Sequence, residues 1–416
     1  MTVSLPELTR TFARIGILSF GGPAAQIALM HRTLIDEKKW VEEQEYLRAL
    51  SFCMLLPGPE AMQLATWIGW RMHGVPGGLI AGGLFVLPGA IVVLALSIIY
   101  ALFGQVPLVA ALFAGVQAAV VAIVIEALLR VARRALKTTE AWGVAALAFA
   151  GLFVFNLPFP LIIIAAGLWG FIRSRGAPVS ALAAPVPLTR TLAVLGGGAA
   201  IWLVPLGLLW AMDAGLLVEI GAFFAKLAIL TFGGAYAVLA WMAQEVVQDK
   251  GWLTLKQMMD GLGLAETTPG PLILVTEFVG FMAAYREGGI ANGIAAAALT
   301  LWVTFVPSFV FIFAGAPYIT RLTGQPRLSG ALAAITAAVV GVIANLSLWF
   351  ALHVVFATVT TWQAGPLHLA LPDPGSLRPL ALFIGLGAAW ALLRAHWNLA
   401  WVLLAAAAAS AAALLF

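Results

Sequence analysis

A single cysteine, Cys53, occurs in 416 residues, which rules out an internal disulfide and any cysteine-built metal cluster, since both need at least two thiols. Charge is equally scarce, at 10% of residues. The five aspartates include no close pair, which argues against a membrane-embedded enzyme acting on lipid. The histidines His31, His73, His353, His368 and His396 show no HExxH or other ligand spacing, and neither a metal nor a cofactor is expected. No GxxxxGK[ST] phosphate loop is present, which argues against an ATP-driven pump within this chain. Basic residues fall in short clusters rather than a long tail, so nucleic acid is not an expected partner. The first ten residues hold Pro6, Glu7 and Arg10 without a long apolar run, and a removable signal peptide is not expected.

What is abundant is apolar surface. With 62% hydrophobic residues and a mean hydropathy of +1.02, the chain has too little polar surface to coat a soluble globule, so its solvent is the lipid bilayer. A hydrocarbon core about 30 Å thick needs roughly 20 apolar residues per helix, and by that measure the chain offers roughly 10–13 membrane segments. Its fifteen tryptophans are spread through the chain, as in an aromatic belt.

The chain also repeats itself. At an offset of 212 residues, 48 positions align without a gap and 16 are identical. FARIGILSFGG (Phe12 to Gly22) meets FAKLAILTFGG (Phe224 to Gly234), Trp40 meets Trp252, and Pro57-Gly58-Pro59 meets Pro269-Gly270-Pro271. Identity gathers in glycines, prolines and aromatics, where shared hydrophobicity alone would not put it. The expected fold is an all-α polytopic membrane protein with two inverted-topology repeats and broken or re-entrant helices. Residues 1–175 form the first repeat, 176–213 a linker and connecting span, and 214–416 the second.

Charge sets the orientation. Leu108 to Leu129 runs into Arg130, Arg133, Arg134 and Lys137, a cluster placed in the cytoplasm by the positive-inside rule. Ala141 to Phe155 and Pro158 to Ile172 then read as a hairpin returning to Arg173 and Arg175, and Thr191 to Met212 crosses outward. The second repeat therefore starts outside, whereas the first follows Arg10 and Arg14 on the inside. Around Gly21-Gly22, and from Glu45 to Arg71, the apolar segments are half-length. Re-entrant hairpins would keep the polar stretch HRTLIDEKKWVEEQE cytoplasmic, while full spans would put it outside.

Proline lacks an N–H and its fixed φ suits a helix's first turn, so each Pro-Gly-Pro reads as a helix start with unpaired amides. In lipid such amides need protein, water or a ligand, and a helix N-terminus favours oxyanions. Two starts, at Pro59 and Pro271, would point at one cavity, which suits a tetrahedral dianion. Packing kinks are the alternative for either motif alone. The Gly pairs, Gly21-Gly22 and Gly233-Gly234, each precede the Pro-Gly-Pro by 36 residues. Candidate neutral donors are Gln26, Gln63, Tyr236, Thr267 and Thr268. Arg14 and Lys226 occupy equivalent positions and either balance an anion or snorkel to an interface. Glu60, Glu266 and Glu277 flank the motifs as candidate proton carriers, while Glu126 is expected to pair with Arg130 one turn on.

The paired segments FGGPAAQIALM and LLPGPEAMQLATWIGW, then TFGGAYAVLAWM and ETTPGPLILVTEFVGF, resemble the chromate ion transporter family in its two-domain, long-chain form. The resemblance covers nearly the whole chain. It implies chromate efflux from the bacterial cytoplasm across the inner membrane, giving chromate resistance, with the two homologous domains in opposite membrane orientation. The expected partners are chromate, or sulfate by its similar shape and charge, and the bilayer, with a homodimer admitted. The motif positions it carries over are Phe20, Gly21, Gly22, Pro57, Gly58, Pro59 and Gln63, then Phe232, Gly233, Gly234, Pro269, Gly270 and Pro271. Tyr236 stands where the first half has Ala24 and Val275 where it has Gln63, so the two half-sites are expected to be unequal.

Overall fold

The computed structural model describes residues 3–174, 187–232, 235–319, 322 and 325–413. Gly233, Gly234, Arg175 and residues 176–186 of the expected linker lie outside the described residues.

Helix α1 (Leu5–Leu18) is capped by Ser4, whose hydroxyl accepts from the Glu7 N–H, and carries Pro6 in the first turn, where a missing N–H costs no helical bond. It stops before Gly21 and Gly22, whose φ values of +85° and +78° are disfavoured for residues with a Cβ. Then follow α2 (Gly22–His31), a π-turn at Arg32–Glu37, and α3 (Glu43–Cys53). At 1.5 Å per residue, ten and eleven residues reach only about 15–17 Å, half of the bilayer core. These are the half-length segments expected from the sequence.

Helix α4 (Glu60–Phe103) breaks at His73-Gly74, where Gly74 takes φ +62° and ψ −151°, a region open essentially to glycine. Its arms fold back on each other so closely that a Cβ at Gly69 would strike the Gly77 carbonyl. Helix α5 (Pro107–Ala135) ends in Arg133 and Arg134, and α6 (Thr139–Phe153) and α7 (Phe159–Arg173) make the expected hairpin. The connecting span is α8 (Leu188–Ala211).

The second half repeats this order with α9 (Gly215–Leu230), α10 (Ala235–Gln244), a π-turn at Glu245–Asp249, and α11 (Leu255–Thr267). A 3-10 turn, Leu272–Leu274, leads into α12 (Val275–Gly315), broken at Gly288-Gly289. That break lies 215 positions after His73-Gly74, although the Pro-Gly-Pro motifs are 212 apart. The short turn takes up the three extra residues. Counted from the break, the position equivalent to Gln63 is therefore Phe278, not Val275, and the second half still lacks a glutamine there.

The chain continues through α13 (Pro326–Val355), strands β1 (Val359–Ala364) and β2 (Leu367–Pro372), α14 (Pro379–Leu393) and α15 (Leu399–Ala412). Among the described residues, this antiparallel hairpin is the one departure from helical elements. It is rich in β-branched residues on β1, turns at Gly365 with φ +58°, and pairs Val359 with Pro372 through Ala364 with Leu367. Among the described residues, five helices are long and apolar enough to cross a membrane: α4, α5, α8, the segment Leu272–Tyr318 and α13. Four shorter apolar helices, α6, α7, α14 and α15, accompany them.

The molecule divides into two compact units, each drawing on both halves of the sequence. Unit 1 comprises Met1–Ala101, Gly176–Ala235 and Leu264–Ser329, and unit 2 comprises Leu102–Arg175, Tyr236–Gly263 and Gly330–Phe416. In unit 1, Phe12, Phe85, Phe224 and Phe281 are fully buried. Helix α8 packs on α12 through a reciprocal pair: Trp202 Nε1 donates to the Val303 carbonyl at 2.9 Å and Trp302 Nε1 to the Ile201 carbonyl at 3.1 Å. No residue of α8 is fully buried, and its apolar outer face, with Trp210 75% exposed, is a lipid-facing one.

In unit 2, α5 packs against α14 and α15, and small residues bring backbones together: Gly115 abuts the Ala406 carbonyl and Gly341 the Ala145 carbonyl. The Glu126–Arg130 ion pair forms one turn apart, as expected. Gly341→Leu should overpack α13 against α6 and cost about 1–3 kcal/mol. Gly143→Leu, with nothing within 4 Å, should leave the melting temperature in detergent unchanged. Equal melting of the two variants would contradict the close contact at Gly341.

Candidate functional site

The two repeated motifs meet inside unit 1. The residue preceding each Phe-Gly-Gly ends a helix: Ser19 after α1 and Thr231 after α9. Each hydroxyl donates back to its own helix, Ser19 Oγ to the Ile15 carbonyl and Thr231 Oγ1 to the Leu227 carbonyl, both at 2.7 Å. Each backbone carbonyl is thereby left to face the other half. The Gly270 N–H donates to the Ser19 carbonyl at 2.8 Å, and the Gly58 N–H to the Thr231 carbonyl at 2.9 Å. The repeat offset relates these two bonds: what the first half's break does for the second half's Pro-Gly-Pro, the second half's break does for the first.

Glycine is required at both acceptor-facing positions. Gly58 takes φ +126° and Gly270 φ +91°. A Cβ at Gly58 would also crowd the Gln63 amide and the Ser308 hydroxyl, and Gly89 packs so tightly on Pro269 that a Cβ there would strike its carbonyl. Pro57, Pro59, Pro269 and Pro271 flank these glycines and are all buried with them.

The expectation of unpaired Gly58 and Gly270 amides is therefore corrected: both are satisfied by the opposite repeat. What remains is the next turn. In α4 the first amide to bond back is that of Gln63, to the Pro59 carbonyl at 3.0 Å, so the first-turn amides of Ala61 and Met62 have no acceptor within the helix. In the second half, Leu274 bonds back to Pro271 at 2.9 Å and only Leu272 and Ile273 precede it.

Two glutamines brace the crossing. Gln26, 1% exposed, donates through Nε2 to the Gly270 carbonyl at 2.7 Å and the Ser19 carbonyl at 3.3 Å. Gln63, fully buried, donates to the Pro57 carbonyl at 2.7 Å. These donations fix both amide orientations and leave Gln26 Oε1 and Gln63 Oε1 buried without a partner among the described residues. Both orphan oxygens are acceptors, so they call for water or a protonated group.

Other candidates fall elsewhere. Thr267 and Thr268 donate their hydroxyls to the Leu264 and Ala265 carbonyls at 2.8 and 3.0 Å, which removes them as donors to an anion. Arg14 and Lys226 are exposed, the arrangement of side chains that snorkel. Phe20 is 48% exposed, whereas Phe232 is half-buried. Gly21 and Gly22 make the break that aims Ser19. Tyr236 belongs to unit 2. Glu60 and Glu266 are half-buried and have partners. Glu277 stands out: it is 1% exposed and its Oε2 has no partner among the described residues.

Sequence reasoning passed over a stripe of hydroxyls on α12. Thr300, Thr304 and Ser308 recur every fourth residue, hence on one helix face, and all are at most 2% exposed. Thr300 Oγ1 packs against Gly280, while Ser308 Oγ packs against Gly58. Thr300 Oγ1 and Thr304 Oγ1 lack partners among the described residues, unlike Thr66, whose hydroxyl returns to the Met62 carbonyl at 2.9 Å. The hydroxyls therefore run from the arm carrying Glu277 toward Gly58. Their four-residue spacing was visible in the sequence but submerged in a long apolar run. Among the described residues no group of three or more metal-ligating side chains occurs.

Comparison with known proteins bears on what this constellation serves. The profile of the family described as "Chromate transporter" matches residues 6–171 and 218–411. A "Probable chromate transport protein" of Synechococcus elongatus is 30% identical over 400 residues, covering 89% of this chain and 92% of its own. A "Chromate transport protein" of Cupriavidus metallidurans is 31% identical over 82% of this chain and 81% of its own, and one of Pseudomonas aeruginosa 34% identical over 82% and 80%. No solved structure matches. With both halves matched, and with relatives this similar along most of the chain, the protein is a multi-pass membrane protein that belongs to the chromate transporter family.

Proposed function

We propose that this chain is a secondary active transporter that exports chromate from the cytoplasm across the bacterial inner membrane, driven by the proton motive force, and so confers chromate resistance. The observation that carries this reading is the reciprocal pair of bonds between the broken segments, Gly58 with Thr231 and Gly270 with Ser19. Two inverted copies that exchange conformations give alternating access around a central site. Symmetric partners of nearly equal strength can exchange roles at small cost, one bond loosening as the other tightens.

The anion sits, in this reading, beside Gly58, where the first-turn amides of α4 and the hydroxyls of Thr300, Thr304 and Ser308 supply donors. Desolvated donors in a low-dielectric site hold a dianion without a paired cation nearby. Glu277 carries the proton. Its buried, unpartnered carboxyl oxygen is too costly to leave charged, so the group is held neutral until a conformation exposes it to water. Sulfate shares the shape and charge of chromate, and backbone amides and hydroxyls discriminate weakly between the two.

Everted membrane vesicles carrying the protein should accumulate radiolabelled chromate when energised, with an uncoupler abolishing uptake and sulfate competing in proportion to its own affinity. Failure to accumulate chromate would overturn the assignment, and uptake of sulfate alone would replace it with a sulfate transporter. Gly270→Ala strains a left-handed residue by about 1–2 kcal/mol, which corresponds to roughly five- to thirty-fold slower transport if it falls on the barrier. Ser19→Ala should transport within about twofold of wild type, because the bridging atom is a backbone carbonyl; its membrane level and transport can be read by immunoblot and uptake in the same vesicles. Glu277→Gln should retain chromate exchange but lose its acceleration by an imposed pH gradient, measured in proteoliposomes. A preserved response would remove Glu277 from the coupling.

A further inference from the structure

Unit 2 contains a polar cavity remote in sequence from the paired motifs. It has a volume of about 170 Å³ and lies between the α6–α7 turn, the end of α10, the C-terminal part of α13 and the β1–β2 hairpin. A backbone bond from the His368 N–H to the Val154 carbonyl, at 2.8 Å, ties the hairpin to the α6–α7 turn and closes one wall. Asn156, Gln244, Gln248, Asn345, His353 and His368 line it, and its lining includes no Asp, Glu, Lys or Arg.

Two histidines have their ring protons assigned by their neighbours. The Gln363 amide nitrogen lies 2.8 Å from His368 Nε2, so Nε2 accepts and the proton resides on Nδ1. That Nδ1 is buried and has no partner among the described residues. His353 Nδ1 lies 2.9 Å from the Trp349 carbonyl and donates to it, which leaves Nε2 for other contacts. Asn345, 3% exposed, also lines the cavity. An orphaned N–H, several amide donors and no competing carboxylate favour a small, acceptor-rich ligand. At about 30 Å³ per water the volume holds roughly five waters, or one tetrahedral oxyanion with some of its hydration.

With the basic end of α5 in the cytoplasm by the charge rule, the α6–α7 hairpin that leaves from it and returns to Arg173 carries its turn toward the opposite face. We propose that this cavity is a second oxyanion site, open to the extracytoplasmic face, for a tetrahedral divalent anion. Chromate just released and sulfate from outside share that chemistry. The site stands apart from the transport reading, since none of its residues belongs to unit 1.

Calorimetric titration of the full chain in nanodiscs, with sulfate and separately with chromate, tests this. A binding event is expected that Gln248→Glu and His368→Ala each weaken at least tenfold, while Gly270→Ala leaves it unchanged. Gln248 is exposed, so its variant keeps the fold and introduces only a repelling carboxylate. Tighter chromate binding identifies the exported anion as the occupant, and tighter sulfate binding the external one. Binding that Gln248→Glu does not weaken, or no binding event other than one lost in Gly270→Ala, overturns the proposal.

Discussion

A helix interrupted inside a membrane leaves backbone groups that water cannot reach, and here the two interruptions satisfy one another. The carbonyl freed after α1 receives the Gly270 amide, and the carbonyl freed after α9 receives the Gly58 amide. Much else in unit 1 follows from this constraint. Glycine must occupy both positions because the backbone is left-handed there, the flanking prolines remove donors that would otherwise go unpaired, and Gly89 must be bare for Pro269 to approach. Gln26 then ties the Ser19 and Gly270 carbonyls together from one side chain.

With both motif amides engaged by carbonyls of the opposite half, the groups left to meet a ligand are their neighbours. The first-turn amides of α4 and the α12 hydroxyls are donors, while the orphan oxygens of Gln26, Gln63 and Glu277 are acceptors. Donors suit a dianion, and acceptors suit protons or water. Both kinds of group lie within one unit, and on that the proposals of coupling at Glu277 and binding along the hydroxyl stripe rest.

Much of the fold was legible. The repeat, the half-length α2 and α3, the α6–α7 hairpin and the connecting α8 follow from apolar length, glycine-proline punctuation and basic clusters. The hairpin at Val359–Pro372 was not, because two six-residue strands carry no signal a hydropathy reading registers. The Gln63 comparison went astray for a related reason: the three-residue turn Leu272–Leu274 shifts the register after the second Pro-Gly-Pro, and only the position of the helix break reveals it. At the site, the motif glycines and Gln26 were recognisable by type, but their partners were not. A backbone carbonyl has no sequence signature, although Ser19 and Thr231 did align as small hydroxyl residues before each Phe-Gly-Gly. Thr267 and Thr268 looked like donors because a sequence shows a hydroxyl without showing that its proton already serves its own helix.

The most direct measurement is the chromium anomalous signal in crystals of the full chain soaked in chromate. The account predicts a peak in unit 1 beside Gly58 and Ser308, within hydrogen-bond reach of the α12 hydroxyls. Chromate bound with no peak in unit 1 would contradict it.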